Sequence, residues 1–334
     1  MVSFEWGSII VNLRQLRFIT EVARHGLNVS AAAENMYTSQ PGVSKQIRQL
    51  EDELGTQIFE RRGKQLTRIT PAGRTIIEYA NRALIEIEAI KEAARENSSP
   101  GKGKLSIATS NTQARYVLPK VIEKFSRAYP LVDIQLHQGT PNQIAAMVAS
   151  GEVDFAIATE SLDQFDDFVM LPCYHWKRAV IVPKNHALAA TQNLSLQQLA
   201  EHPLVTYVFG FNERSQLEKA FLSKGLMPRV AFTATDADVI KTYVRQGAGV
   251  GIIAKLAYDE KLDNDMVLLD AQQLFDMSTA SIGFRRGTFL RTYMYDFVQM
   301  FAGHLNRDLV DMAVGMRSKG ALRSLFIDMQ LPSY

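Results

Sequence analysis

Apolar and polar positions alternate with two different periods along this chain, and the period changes near residue 100. Before that point apolar residues recur every three or four positions, the spacing of one helical face. Leu13, Leu16, Phe18, Ile19, Val22 and Ala23 predict a first amphipathic helix ending near Gly26. Ala31, Ala32, Ala33 and Met36 predict a short second helix capped by Asn28, its alanines allowing close approach of a neighbour. Val43, Ile47, Leu50 and Leu54 predict a third helix over 39–54. Ser39 is its N-cap, and Pro41 sits in the first turn, where a missing N–H costs little. After Gly55, residues 57–62 and 65–70 flank Gly63-Lys64 and predict a small hairpin. Thr70-Pro71 then starts a long helix reaching about residue 97. On it Ile76, Ala80, Ala83, Ile87, Ile90 and Ala94 step by four and three, an a/d seam sustained for nearly three heptads. At ~1.5 Å per residue such a helix spans about 40 Å. Its narrow apolar face predicts a dimerisation helix, with docking on its own domain as the alternative.

Residues 98–103 (Ser98-Ser99-Pro100-Gly101-Lys102-Gly103) are a linker by composition. Beyond them, strands alternate with helices. Strands are expected at 104–108, 132–137, 155–158, 169–174 and 178–183, with helices at 112–129 and 141–150 between them. A second series follows, with strands at 204–207, 229–233, 250–254, 266–269 and 280–284 and helices at 195–201, 213–224 and 236–246. A helix at 290–305 and two short C-terminal helices complete the chain. Two α/β lobes joined by two crossings imply a hinged cleft. The first lobe takes about 104–173 and 275–305, the second about 174–274. The expected class is therefore α plus α/β: a helical module with a hairpin wing over 12–70, a linker helix over 71–97, and a two-lobed ligand-binding domain over 104–334. The two-lobed part is like that of periplasmic binding proteins.

Helix, short helix, turn, helix, wing is the order of a winged helix-turn-helix. The third helix is apolar behind, while Lys45 and Arg48, flanked by Gln40 and Ser44, make its front. Such a face suits a DNA major groove, where these groups reach base edges and phosphates. Ser39, Gln40, Pro41, Ser44, Lys45 and Arg48 are the expected reading residues, with Arg61, Arg62 and Lys64 of the wing on the backbone. The same spacing also serves an ordinary solvated helix; the charge distribution separates the two. The chain of 334 residues has a net charge of only +2, yet residues 12–70 hold nine Lys/Arg against six Asp/Glu. Four of the eight residues from 61 to 68 are basic. A positive N-terminal module joined to a neutral remainder is the footprint of a nucleic-acid binder.

The single cysteine, Cys173, leaves no disulfide framework and no multi-cysteine metal site. The six histidines are scattered, so no metal is expected. No apolar run approaches a membrane span, and residues 1–11 lack the basic and apolar parts of an export signal, so the expected compartment is the cytoplasm. Gly247-Ala248-Gly249-Val250-Gly251 is not a phosphate loop: it follows a helix and enters a strand, the reverse of the required order. Nothing supplies a nucleophile, base and orienting group in array, so no catalytic residue and no cofactor is expected.

With AAA, SQPGVSKQIRQLE, LG and F-x-R-R between Asn28 and Arg62, the chain resembles LysR-type transcriptional regulators. The resemblance runs from about residue 12 to the end; residues 1–11 fall outside it. ATSNTQARYVLP, HQGTPNQIA, DFAIATE, MLPCYHW, VTYVFGF, TATDADVIKTYVRQGAGVG and IGFRRGTFLR look like the CysB branch in particular. That branch implies control of sulfate assimilation, cysteine biosynthesis and organosulfur use. It implies promoter DNA as partner, a homodimer or homotetramer, contact with RNA polymerase, and a cleft for sulfate or thiosulfate with N-acetylserine or O-acetylserine as inducers. The alternative within the family is a regulator of alkanesulfonate use or of another small anion. By resemblance Ser110, Thr112, Gln113, Thr159, Trp176 and Asn212 surround the anion. Ser110 and Asn212 stand where the branch more usually has threonine. The residues offer some support of their own: Ser110-Asn111-Thr112-Gln113 follows a strand and opens a helix, whose free N–H groups suit an anion. Plain helix capping explains the same stretch. These donors are neutral, so the expected site holds its anion without a lysine. A solute-binding protein and an enzyme remain as rival readings; the basic N-terminal module and the lack of an export signal argue against the first, and the lack of a catalytic array against the second.

Overall fold

The computed structural model describes residues 11–63, 65–159, 167–208, 216–316 and 318–334. They form two compact units: one holds the described residues up to Ser98 with Gly287–Phe289, the other Ser99–Arg286 and Leu290–Tyr334.

The first unit opens with α1 (Leu13–Arg24), fixed at its start by a reciprocal pair of bonds between Asn12 and Gln15. In α2 (Val29–Asn35) the Asn28 side chain accepts from Ala31 N–H at 3.0 Å. In α3 (Gln40–Leu54) Ser39 accepts from Gly42 N–H at 3.3 Å. The hairpin β1 (Phe59–Arg62) and β2 (Gln65–Ile69) is antiparallel. Helix α4 (Pro71–Ser98) begins where Thr70 Oγ1 accepts from Gly73 N–H at 2.8 Å. Phe18, Ile19 and Val22 of α1, Ala32 and Ala33 of α2, Val43, Ile47 and Leu50 of α3, and Ile77 and Ala80 of α4 share one core with Ile58 and Phe59. The start of α4 thus docks on its own unit, while Ile90 further along is 65% exposed. Docking on its own unit thus holds for the start of the helix, and the later part of the seam stays exposed.

In the second unit the first sheet takes β3 (Lys102–Thr109), β4 (Leu131–Gln138), β5 (Phe155–Ala158), β6 (Phe168–Trp176) and, from much later in the chain, β12 (Ser278–Arg285). Its order is β4-β3-β5-β12-β6, with β3 parallel to β4 and β5, and β12 antiparallel to β5 and β6. The second sheet is β11-β7-β10-β8-β9, built from β7 (Arg178–Pro183), β8 (Leu204–Tyr207), β9 (Val230–Ala234), β10 (Val250–Ala254) and β11 (Met266–Asp270). Helices α5 (Asn111–Tyr116), α6 (Leu118–Ala128) and α7 (Pro141–Ser150) connect strands of the first sheet; α8 (Leu196–Ala200), α9 (Gln216–Leu222) and α10 (Ala237–Arg245) lie within the second series. The last helices are α11 (Thr292–Phe301), α12 (Arg307–Gly315) and α13 (Lys319–Phe326). Separate apolar clusters cover the two faces of each sheet, with α6 and α11 on one side of the first and α7 on the other. On the second sheet α8 and α9 face one cluster and α10 the other.

Three details differ from the sequence pattern. The helix expected over 112–129 is broken between α5 and α6, because Pro119 has no N–H to continue the ladder. The irregular stretch expected over 98–103 is shorter: Ser98 is still helical, and Lys102 and Gly103 already pair with Leu131 and Val132. The first sheet keeps its strand through Trp176, so the chain passes to the second sheet at Lys177 alone. The glycine run before β10 is a turn plus close packing: a Cβ on Gly251 would lie 2.5 Å from Ile181 Cγ1.

Gly73 faces a tighter limit, since its Cβ would meet the Ile58 carbonyl oxygen at 2.1 Å. We expect Gly73→Ala to destabilise the first unit by about 1–3 kcal/mol, visible as an earlier first transition in a thermal melt. A melt superimposable on the parent's would contradict this packing.

Candidate DNA-reading face and effector cleft

Helix α3 divides cleanly. Val43, Ile47 and Leu50 are 0% exposed, whereas Ser39, Gln40, Pro41, Lys45 and Arg48 are exposed and Ser44 half-buried. Gln40 Nε2 donates to Ser44 Oγ at 3.1 Å, which lines these two amide and hydroxyl groups along the front. Lys45 and Arg48 make no ion pair with any described residue, so their charge is presented outward. Tyr37, which sequence reasoning passed over, is 99% exposed at the entry to α3 and adopts a left-handed φ of 50°. A bulky residue held there is a strained one.

The wing is organised differently from the expectation. Glu51, buried on the back of α3, accepts from Ile58 N–H at 2.9 Å and Phe59 N–H at 3.0 Å, and its other oxygen meets Arg61 Nη2 at 2.6 Å. Arg61 is therefore the clasp between wing and reading helix, and not a free phosphate contact. Arg68 likewise grips Glu60 through two bonds of 3.1 and 2.6 Å and holds that carboxyl below its usual range. Arg62 keeps its charge exposed, with no ion pair to a described residue. Lys64 lies outside the described residues.

In the second unit the polar residues expected of a ligand site gather at the carboxyl ends of strands, where open α/β sheets bind ligands. Ser110, just past β3, caps α5 and accepts from Gln113 N–H at 3.4 Å. Thr112 Oγ1 and Tyr207 OH, at the end of β8, are 3.4 Å apart, which links the two sheets. Gln113 is 3% exposed, and its Oε1 accepts from the hydroxyl of Tyr174 on β6. Thr159, just past β5, accepts from Trp176 Nε1 at 3.1 Å. Ser110, Thr112 and Gln113 thus share one element, and Thr159 and Trp176 form a bonded pair. Asn212 lies outside the described residues.

A buried cation that sequence reasoning did not name lies beside Trp176. Arg178 is 9% exposed; its guanidinium carbon lies 5.0 Å from the centre of the Trp176 ring and its Nη1 donates to Ser278 Oγ at 3.2 Å. The expected donors are neutral, and beside one of them, Trp176, stands a buried positive charge. In sequence, Arg178 is one more basic residue next to Lys177, and only its position at the crossing between sheets brings it here. Burial pushes the Tyr174 and Tyr207 phenols above their ordinary range, so both stay protonated and remain donors at neutral pH.

A second polar group ties α5 to α10. Tyr116 OH donates to Asp238 at 2.7 Å, and Arg115 Nε lies 2.7 Å from the other oxygen of Asp238. Lys241, 2% exposed, reaches Asp263 at 2.7 Å and Tyr116 OH at 3.3 Å. Burial alone would raise the Asp263 carboxyl. The Asp259 N–H, then Lys241 and Arg245, outweigh it and hold the group below the carboxylate range. Among the described residues no cluster of His, Cys, Asp and Glu could hold a metal, and no helix is long and apolar enough to cross a membrane.

We expect Glu51→Ala to cost the first unit roughly 2–4 kcal/mol, because two buried N–H groups and Arg61 lose their partner together. Differential scanning calorimetry checks this, and a first transition within a degree of the parent's contradicts it.

Comparison with known proteins agrees with this geometry. Residues 13–74 match the bacterial regulatory helix-turn-helix protein, lysR family, and residues 98–306 match the LysR substrate binding domain. The chain is 52% identical to the HTH-type transcriptional regulator CysB of Haemophilus influenzae over 96% of its length and 99% of that protein. It is 48% identical to the HTH-type transcriptional regulator SsuR of Burkholderia cenocepacia over 89% of its length and 96% of that protein. The crystal structure of the cofactor-binding domain of the Cbl transcriptional regulator superposes with a TM-score of 0.61 at 38% identity, covering 64% of this chain and 95% of that one. A reading helix with its cations outward, a wing clasped to it, and a two-sheet receptor with polar strand ends all belong together: the chain is a member of the LysR family of DNA-binding transcriptional regulators, CysB-like within it, and not an enzyme.

Proposed function

We propose that this regulator governs sulfur-assimilation and cysteine-biosynthesis promoters from the cytoplasm, and that it senses a small sulfur oxyanion in the cleft. Its two activities are divided between the two units. The first grips promoter DNA through Gln40, Ser44, Lys45 and Arg48, with Arg62 and Lys64 on the phosphate backbone. Exposed apolar residues on the second half of α4, Ile90 foremost, serve self-association into a homodimer or homotetramer. The second unit holds the anion among Ser110, Thr112, Gln113, Thr159, Trp176 and Asn212, with Arg178 supplying the compensating charge. The single observation that carries the reading is the sealed back and outward cations of α3, since a solute-binding protein or an enzyme has no use for them.

Ser110 in place of threonine removes one methyl from the cleft. That favours a bulkier oxyanion than sulfate, such as thiosulfate or an alkanesulfonate. Ligand binding drives regulation only through different affinities for two arrangements of the two sheets.

Two measurements test the proposal. Lys45→Ala should weaken promoter binding severalfold and reduce the slope of log affinity against log salt by about one; an unchanged slope and affinity reject the assigned face. Titration of the full chain with sulfate, thiosulfate, methanesulfonate and O-acetylserine, followed by calorimetry, should give heat with at least one sulfur oxyanion. No heat and no thermal shift with any of them rejects the sulfur assignment.

A further inference from the structure

We propose that the segment 332–334 is a backbone strap that positions the anion-binding side chains of the cleft, a role that rests on the oxyanion reading above. Strand β6 is the outer strand of its sheet, paired on one side with β12. An outer strand leaves a row of unpaired backbone groups. Here the carboxyl end of that row is covered. His175 N–H donates to Pro332 O at 2.8 Å, Tyr334 N–H donates to His175 O at 2.9 Å, and Lys177 N–H donates to Tyr334 O at 3.2 Å. The pairing is parallel, with His175 opposite Ser333.

These three bonds fall on the residues either side of Trp176, whose indole N–H is engaged with Thr159 Oγ1. A short parallel bridge therefore holds the backbone on either side of the aromatic residue that faces Arg178. The same segment acts through a side chain as well. The Tyr334 ring meets the Tyr174 ring edge-on, with centroids 5.1 Å apart at 90°. The Tyr174 hydroxyl donates to Gln113 Oε1. Since that amide's acceptor is occupied by Tyr174, its NH2 is the end left to donate to an anion. The strap thus reaches two of the proposed ligand contacts by separate routes, Trp176 through the backbone and Gln113 through Tyr174. Tyr334 itself is 58% exposed, so trimming its ring opens no core. It is a positioning residue, since it touches Tyr174 and not the cleft donors.

The chain has two tryptophans, Trp6 and Trp176, so in a Trp6→Phe background fluorescence reports Trp176 alone. In that full-length background three variants are compared: deletion of 332–334, Tyr334→Ala and Tyr334→Phe. Acrylamide quenching is measured without ligand, and thiosulfate binding by calorimetry. Deletion should make Trp176 more readily quenched and raise the thiosulfate Kd by about tenfold, the equivalent of one lost contact. Tyr334→Ala should weaken thiosulfate binding with little change in quenching, and Tyr334→Phe should bind as the background protein does, because the contact is made by the ring. A deletion variant with unchanged quenching overturns the strap. So does one that binds thiosulfate as tightly as the background protein. If the background protein itself gives no heat with thiosulfate, the oxyanion reading fails, and the quenching alone then decides whether the segment holds Trp176.

Discussion

In the receptor half the two sheets, joined by two chain crossings, are tied together most strongly around a buried lysine, with the Thr112–Tyr207 contact beside it. Lys241 sits on α10, packed on the second sheet, with almost no solvent contact, and its ammonium lies between Asp263 and the hydroxyl of Tyr116 on α5, which follows β3 of the first sheet. A buried charge is stable only when paired and hydrogen-bonded, so every neighbour in this cluster is fixed by it. Asp263 pairs also with Arg245, and Asp238 pairs with Arg115 and Tyr116 of α5. The far end of α5 is therefore anchored to the second sheet by charge, while its near end carries Ser110, Thr112 and Gln113. Any ligand held by those three residues bears on an element that both sheets share.

The DNA-binding unit uses the same principle on a smaller scale. Glu51 is a carboxylate on the back of the reading helix, and burying it would be costly without the two backbone N–H groups and the guanidinium that satisfy it. Because those donors belong to the start of the wing, wing and helix become one rigid piece. The cations then sort into two kinds. Arg61 and Arg68 are paired within the unit, and Lys45, Arg48 and Arg62 are exposed with no ion pair to a described residue. Net charge alone does not make this distinction.

How much of this was legible in the sequence differs by element. The three helices of the reading module, the wing and the long helix follow from apolar periodicity and caps, which are local properties. So do the strands of the receptor; the edges of β5, α7, β8 and β10 fall where the pattern places them. Gln113 and Trp176 were named through family resemblance, but nothing local shows that Tyr174 and Thr159 orient them. Arg178 was not legible at all, because a basic residue beside Lys177 reads as solvated surface. The Glu51 pairing of Arg61 was not legible for the same reason: the two lie ten positions apart on different elements.

The chain by itself determined which segments become helices and strands, which face of α3 is sealed, and where the positive charge concentrates. These depend on residues a few positions apart, within reach of helical and strand periodicity. Only the tertiary structure decided which charges are spent inside the protein and which remain outward, and which polar side chains meet at the strand ends. Burial and pairing between residues tens to hundreds of positions apart, such as Tyr116 with Asp238 or His175 with Pro332 and Tyr334, are set by packing, and no local pattern records them.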